Sequence, residues 1–498
     1  MMRTNGFKRC AAAVLALLML TGTACTGAGA AGTQADTSAE ESGGPSQEDA
    51  GSGAKDSQIG EGQSFAEAHD AFQTTLTRQD NDSDPIPEPP EGLFDLVSYP
   101  SKVGDLAAYV SSDPGDGQKH PMIIWVVGGW GNGISDFPFC YPAWDNDQTG
   151  SAFWQAGVLT MYPSFRGGNG NPGYYEALFG EVDDIVSAYE YAASLPYVDP
   201  DRIYLGGHST GGTRALLAAE YTDKFRSVFC FGPVDEVKYH NNSQFTFDKN
   251  NEDEYTMRSP IHWLDNVKNP TFLIEGEEGN SGNLRKIQEA SENENIHCYV
   301  LDGADHFSTL APITRLLAEK ILADTGAEPG ISITQEELQT AMEGEPVIPA
   351  PVMKEYTIDD LGMAFSCPYI WTVEDISEEG TFQLSLYSPY EEDDIWDMAS
   401  MYISVYSVDD SGSYLSGMEE YLQGEGYDTG AAEVSGLSGI HAVGQRITDS
   451  GSVFRNQYTL VQKGDRFIEF DFYIHEDYGE DADSLFTSMM ESVRFLEQ

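Results

Sequence analysis

The stretch Arg202-Ile203-Tyr204-Leu205-Gly206-Gly207-His208-Ser209-Thr210-Gly211-Gly212-Thr213 decides the reading of this chain. An apolar run, Ile203 to Leu205, leads into Gly207-His208-Ser209-Thr210-Gly211, and a run with helical spacing, Thr213 to Tyr221, follows. A strand, G-x-S-x-G and a helix, in that order, form the context of a nucleophile elbow. A serine hydroxyl is a poor nucleophile at its free pKa. It needs a sharp turn that exposes it, a base within reach, and nearby backbone N–H groups. Small residues flank such a serine because the turn leaves no room for larger ones. An ordinary glycine-rich strand-to-helix turn would carry the same letters without the chemistry.

Working outward, strand-like and helical runs alternate from about Gly92 to Gly326. Phe94–Val97 and Leu106–Val110 read as strands, and Met122–Val127 is a continuous apolar run suited to a strand buried on both faces. Val158–Tyr162, Phe225–Phe231, Thr271–Ile274 and His297–Leu301 are also strand-like, whereas Val182–Leu195, Leu284–Ala290 and Ile313–Ala323 have helical spacing. Such alternation predicts an α/β fold with a mostly parallel sheet covered on both faces.

The base expected for Ser209 is His306, in Leu301-Asp302-Gly303-Ala304-Asp305-His306-Phe307, after a strand and before a final helix. One oxyanion N–H is expected from Thr210. The second is expected at Trp130, in the glycine-rich loop Gly128-Gly129-Trp130-Gly131-Asn132-Gly133 that follows Met122–Val127. The acid that orients the histidine belongs after Thr271–Ile274, where the chain reads Glu275-Gly276-Glu277-Glu278-Gly279-Asn280. Glu278 is the first choice, Glu275 the second, and Asp235, after the preceding strand, the third. Trp130, Phe137, Phe139, Tyr141, Trp144, Tyr174 and Tyr175 stand near loops expected to border the site, and an aromatic wall or an ordinary core accounts for them equally well.

Several motifs together resemble the prolyl-oligopeptidase branch of the α/β-hydrolases. They are Tyr197-Val198-Asp199-Pro200-Asp201-Arg202 running into the elbow, Phe165-Arg166-Gly167-Gly168-Asn169-Gly170, Ser259-Pro260, and Gly303-Ala304-Asp305-His306-Phe307. The resemblance covers Gly92 to Thr325. It implies an eight-stranded sheet and a Ser/acid/His hydrolase of peptides or esters. Two departures matter. The family's acid loop reads His-Gly-x-x-Asp, but here the aspartate position is Gly279. The family's peptidases also carry a large N-terminal β-propeller, for which only linker and a short strand region stand here. That favours an esterase-like or small-substrate activity. A hydrolase scaffold that has lost catalysis and serves as a cell-surface binding protein is the alternative.

At 498 residues, the chain is long enough for two domains. Its 26 Lys and Arg face 82 Asp and Glu, a formal net charge of −56 that repels phosphate backbones and excludes nucleic acid as a partner. Residues 1–25 resemble a bacterial lipoprotein signal: Arg3, Lys8 and Arg9, an apolar run Ala11–Leu20, then small residues before Cys25. Lipidation at Cys25 would tie the exported protein to the membrane. Residues 26–91 are expected to be a disordered tether, residues 92–326 the hydrolase domain and residues 327–351 a second linker, with a short helix near Ile333–Met342. Residues 352–498 read as an antiparallel α+β domain that faintly resembles the PsbP-like fold through Phe365-Ser366-Cys367-Pro368, Trp371 and Glu491-Ser492-Val493-Arg494-Phe495. No partner is implied for it. No C-x-x-C or Cys/His cluster suggests a metal, and no cofactor is expected. Glu391-Glu392-Asp393-Asp394 and Asp145-Asn146-Asp147 are weak calcium candidates that read more simply as solvated loops.

Overall fold

The computed structural model describes residues 57–139, 146–240, 242–344, 352–369, 371–378, 381–387, 399–408, 411–447, 452–475 and 482–496. These residues fall into two compact units. The larger lies within Asp56–Glu374, Ser385–Ser400 and Ile474–Gln498, and the smaller within Asp375–Leu384 and Met401–Tyr473.

The larger unit is built on eight strands: β1 (Phe94–Ser101), β2 (Gly104–Ser111), β3 (His120–Val126), β4 (Leu159–Pro163), β5 (Val198–His208), β6 (Val228–Phe231), β7 (Thr271–Gly276) and β8 (Ile296–Leu301). Their order in the sheet is β1-β2-β4-β3-β5-β6-β7-β8. β1, β2 and β4 are joined antiparallel, and every neighbour from β4 to β8 is parallel. This is the α/β-hydrolase arrangement. Met122 to Val126 in β3 are all buried, as a strand with helices on both faces requires.

Among the described residues, ten α-helices serve the two units: α1 (Phe65–Ala71), α2 (Ser151–Gln155), α3 (Gly180–Ser194), α4 (Thr210–Tyr221), α5 (Glu252–Thr256), α6 (Ser281–Ala290), α7 (Leu310–Ala323), α8 (Gln335–Met342), α9 (Tyr414–Gly424) and α10 (Ala482–Ser492). In α4, Ala215 to Ala218 are fully buried, because this helix runs directly behind the strand that ends at Ser209. α7 buries Leu310, Ile313, Leu317 and Ile321 at helical spacing.

Residues 57–91 differ from the tether expected of them. α1 begins in a capping box, with Ser64 Oγ accepting from the Glu67 N–H and Glu67 reaching back to the Ser64 N–H. Its Phe65 and Ala68, followed by Phe72, are buried in the core of the larger unit, and the His69 ring stacks on Phe179 at 4.2 Å. A few apolar residues placed on one face outweigh the polar composition around them.

The larger unit also holds a three-stranded antiparallel sheet of β9 (Met353–Ile358), β10 (Met363–Pro368) and β18 (Arg494–Phe495). The closing helix α10 stops at Ser492, and Arg494–Phe495 pair with β10. The remaining strands are β11 (Thr372–Asp375), β12 (Phe382–Tyr387), β13 (Ala399–Ser407), β14 (Asp428–Val434), β15 (Leu437–Ile447), β16 (Val453–Lys463) and β17 (Arg466–His475), in the order β11-β12-β13-β17-β16-β15-β14. In the smaller unit, Tyr414, Met418 and Leu422 of α9 pack with Ile440, Ala442, Tyr458, Leu460 and Phe467 of that sheet.

Candidate active site

Ser209 closes β5 and opens α4 with φ 58° and ψ −119°. A non-glycine residue in that region carries strain of order 1–3 kcal/mol, which persists only where its surroundings over-determine it. Its N–H donates to Phe231 O at 2.7 Å, and its carbonyl accepts from the Thr213 N–H at 2.9 Å. The glycines of the pentapeptide are steric requirements. A Cβ at Gly211 would lie 2.1 Å from Val126 O, and one at Gly207 would lie 2.6 Å from the backbone of Gly211.

The loop after β3 lies against this turn. A Cβ on Gly128 would stand 3.3 Å from Ser209 Cβ. Thr210 Oγ1 donates to Gly129 O at 2.5 Å, which ties the loop carrying Trp130 to the first residue of α4. The two expected oxyanion positions, Trp130 and Thr210, thus sit on segments bound to one another beside Ser209. Trp130 is half-buried, with its ring edge-on to Phe245 at 5.7 Å.

His306 stands in the loop between β8 and α7. Its Nδ1 lies 2.8 Å from Glu275 Oε2. The carboxylate accepts, so Nδ1 carries the proton, and Nε2 keeps its lone pair, the tautomer a general base requires. Glu275 is buried at the end of β7, and its Oε1 accepts from the Gly276 N–H at 2.7 Å. The carboxylate that meets His306 is thus Glu275, the second choice, and not Glu278, the first. Glu278 is exposed, and its backbone N–H donates to Ala304 O. Asp235 is paired with Lys286 at 3.0 Å.

Two glycines make room for Glu275. A Cβ at Gly279 would lie 2.5 Å from Glu275 Oε1, and one at Gly232 would lie 2.5 Å from Glu275 Oε2 and 2.4 Å from His306 Cε1. Gly279 occupies the position where the family pattern places its aspartate. A longer side chain that starts four residues earlier, at the strand end, fills the space that glycine leaves open. Gly232 also connects the two halves of the site: it directly follows Phe231, whose carbonyl holds the Ser209 N–H.

His208 was not singled out from sequence, and it braces the base. Its ring centroid is 4.5 Å from that of His306, and its Nε2 is 3.1 Å from His306 O. A carbonyl only accepts, so Nε2–H donates and Nδ1 is left without a hydrogen-bond partner. Burial first, and then the neighbouring His306, pushes the His208 pKa down to about 3, so the ring stays neutral and holds the His306 backbone at ordinary pH. The sequence signal was a histidine inside the elbow itself.

Arg166, in the Arg-Gly turn, anchors the loop after β3 through Asn132. It grips Asp184 of α3 through two nitrogens at 2.9 Å and reaches Glu176 at 2.9 Å. Gly180 must lack a side chain here, because a Cβ would fall 1.9 Å from Arg166 Nη1. Asn132, in the loop after β3, donates to Arg166 O and to Glu181 and accepts from Arg214, so the loop bearing Trp130 is anchored to a buried polar network.

Of the other aromatic residues near the site, Phe139 and Tyr175 are core. Phe137 is half-buried and Tyr174 partly exposed, while Tyr141 and Trp144 lie outside the described residues. Phe307 is partly exposed, 5.1 Å from the His306 ring. Cys25, Cys140 and the acidic run at 391–394 also lie outside the described residues. Asp147 accepts from the N–H groups of Ser151 and Ala152 and from Thr149 and Thr314, which commits it to the start of α2. Cys230, Cys298 and Cys367 are free thiols. His69, Asp70 and Asp183 bring ligand-type atoms within 4.8 Å, but Lys102 Nζ already stands 2.7 Å from Asp183 and 3.4 Å from Asp70 and supplies the cation from within the chain.

Residues 144–280 match the prolyl oligopeptidase family. A curated relative, the uncharacterized peptidase YtmA of Bacillus subtilis, is 26% identical over 137 residues, which are 25% of this chain and 53% of that protein. The polyketide transferase claH of Penicillium crustosum is 37% identical over 100 residues, 20% of this chain and 32% of that protein. The chain thus spans about half the length of the first relative and about a third of the second. Among solved structures, a puromycin-hydrolyzing peptidase of Mycobacterium tuberculosis is similar with 20% identity and a TM-score of 0.40, over 48% of this chain and 40% of that one. An acylaminoacyl peptidase of Pyrococcus horikoshii is similar with 18% identity and a TM-score of 0.39, over 49% and 43%.

Proposed function

We propose that the larger unit is a serine hydrolase that cleaves an ester or a peptide or amide bond through an acyl-enzyme. Ser209 Oγ attacks the carbonyl carbon while His306 Nε2 takes the hydroxyl proton. The backbone N–H groups of Trp130 and Thr210 hold the oxyanion. The bond to the leaving group breaks as His306 returns the proton to it, and water, deprotonated by the same nitrogen, releases the acyl group. Glu275 fixes the imidazole tautomer and stabilises the imidazolium. The observation that carries this reading is the 2.8 Å contact between His306 Nδ1 and Glu275 Oε2. Ser209, which follows the His208 whose ring lies 4.5 Å from that of His306, is held at φ 58°.

The partial match to the prolyl oligopeptidase family supports acyl-transfer chemistry. The basic start of the chain and Cys25 support export and a lipid anchor on a bacterial surface. A fluorophosphonate probe is expected to label the purified protein covalently, with labelling lost in Ser209→Ala and abolished by heat denaturation. A folded wild-type protein that ignores the probe would leave only a binding role for the scaffold.

A further inference from the structure

The smaller unit encloses a cavity of about 270 Å³ between α9 and the open face of β13, β15, β16 and β17. Its floor is acidic. Glu469 and Asp471 are two residues apart on β17, so the strand's alternation aims both carboxylates at the same face. Glu469 is 3% exposed and Asp471 7%. Glu469 Oε2 accepts from the hydroxyls of Tyr406 and Tyr458, both at 2.8 Å. Asp471 accepts from Asn456 Nδ2 at 2.7 Å and from the Tyr473 hydroxyl at 2.7 Å. Every one of these partners is a neutral donor. Burial, and then the nearby Asp471, raises the Glu469 pKa to about 7. The positive group nearest to Asp471 is Arg446, which lines the cavity with its guanidinium 5.4 Å from the Tyr473 ring. The walls are aromatic: Tyr414 and Tyr421 come from α9 and Tyr427 from the turn that follows it.

Two carboxylates taken out of water, with the half-buried Arg446 as the one cationic side chain among the described residues lining the cavity, make an unbalanced site. Tyrosine rings line the cavity, and a ring face attracts a cation, as the Arg446 guanidinium over the Tyr473 ring shows. Donors from the protein saturate Oε2 of Glu469, and no protein donor reaches its Oε1 among the described residues. The volume lies just below the range of about 300–1,000 Å³ that holds drug-sized ligands, so the occupant is small.

We propose that this cavity is a binding site for a small organic ammonium ion, a protonated primary amine on an apolar or aromatic body. The ammonium donates to Glu469 and Asp471, and its body packs among the tyrosines of α9 and the sheet. The site is independent of Ser209 chemistry, and it gives the smaller unit a recognition role of its own.

The test uses the full chain and two matched probes, 2-phenylethylamine and its uncharged counterpart 2-phenylethanol, titrated by calorimetry at pH 7.5. Saturable binding of the amine is expected, with the alcohol weaker by about 10- to 100-fold, the worth of a hydrogen bond to a charged group. Glu469→Gln is expected to weaken the amine by a similar factor and to leave the alcohol unchanged. Tyr421→Leu, at the half-buried edge of the cavity, is expected to weaken both probes and keep the preference for the amine. Equal affinity for the two probes, undiminished amine binding in folded Glu469→Gln, or no binding of the amine by folded wild-type protein would each overturn the proposal. The comparison of probes on wild-type protein decides the matter even if Glu469→Gln fails to fold.

Discussion

Glu275→Gln is expected to lower kcat for p-nitrophenyl acetate by about 10⁴-fold, the scale seen when a triad acid is replaced by its amide, while Glu278→Gln stays within about twofold of wild type, as for an exposed side chain. The geometry gives the reason. Glu275 accepts two hydrogen bonds, one from the Gly276 N–H at Oε1 and one from His306 Nδ1–H at Oε2. A carboxylate offers two acceptors, but an amide offers one acceptor and one donor. The Gly276 N–H belongs to the backbone and cannot turn away, so the amide oxygen stays with it. The amide NH₂ then faces His306 Nδ1 and forces that nitrogen to accept. The proton moves to Nε2, the atom that must take the serine proton, and the base is lost. The negative charge that would stabilise the imidazolium is lost as well. Circular dichroism on the same samples would establish that the fold survives. Equal loss in Glu278→Gln, or full activity in Glu275→Gln, would break the assignment of the acid.

The route from sequence to this site was uneven, and the physics explains where. β3 was legible because a strand buried on both faces must be apolar throughout, β5 only through its apolar stretch Ile203–Leu205, and the elbow because its glycines stand where a Cβ would strike Val126 O or the backbone of Gly211. The acid was not settled, because Glu275 and Glu278 shared one loop, Asp235 followed the preceding strand, and only coordinates show which one points inward. The signal that would have favoured Glu275 is Gly279 together with Gly232, two glycines whose absent side chains hold its carboxylate. α1 was hidden because seven residues with one apolar face are diluted by polar neighbours on both sides. The hairpin of β14 and β15 went unread because its residues are small and half-exposed. Its turn, Ser435-Gly436, has positive φ at both positions, which the Ser-Gly pair permits.

The second large effect concerns stability, and it lies one helix behind the elbow. Glu220, the single acidic residue of α4, is 3% exposed, and neither of its carboxylate oxygens has a hydrogen-bond partner. Burial raises its pKa well above the ordinary glutamate value. The native chain therefore holds Glu220 protonated, while the unfolded chain ionises it once the pH passes about 4.5. Between those two values the native state binds more protons than the unfolded state, so the stability tied to this group is present at low pH and declines as the pH rises toward the folded pKa. Glu220→Met keeps the length and approximate volume and removes both the unpaired oxygens and the titration. The variant is expected to be more stable than wild type by about 1–3 kcal/mol at pH 7.5, the cost of an unpaired buried polar group. Because the ionisation penalty is absent at pH 4, the advantage is expected to be smaller there. Urea denaturation of both proteins at the two pH values would measure it. A gain that does not depend on pH would mean that packing alone is responsible, and a loss would mean that the carboxyl has a partner that sustains it in the folded chain.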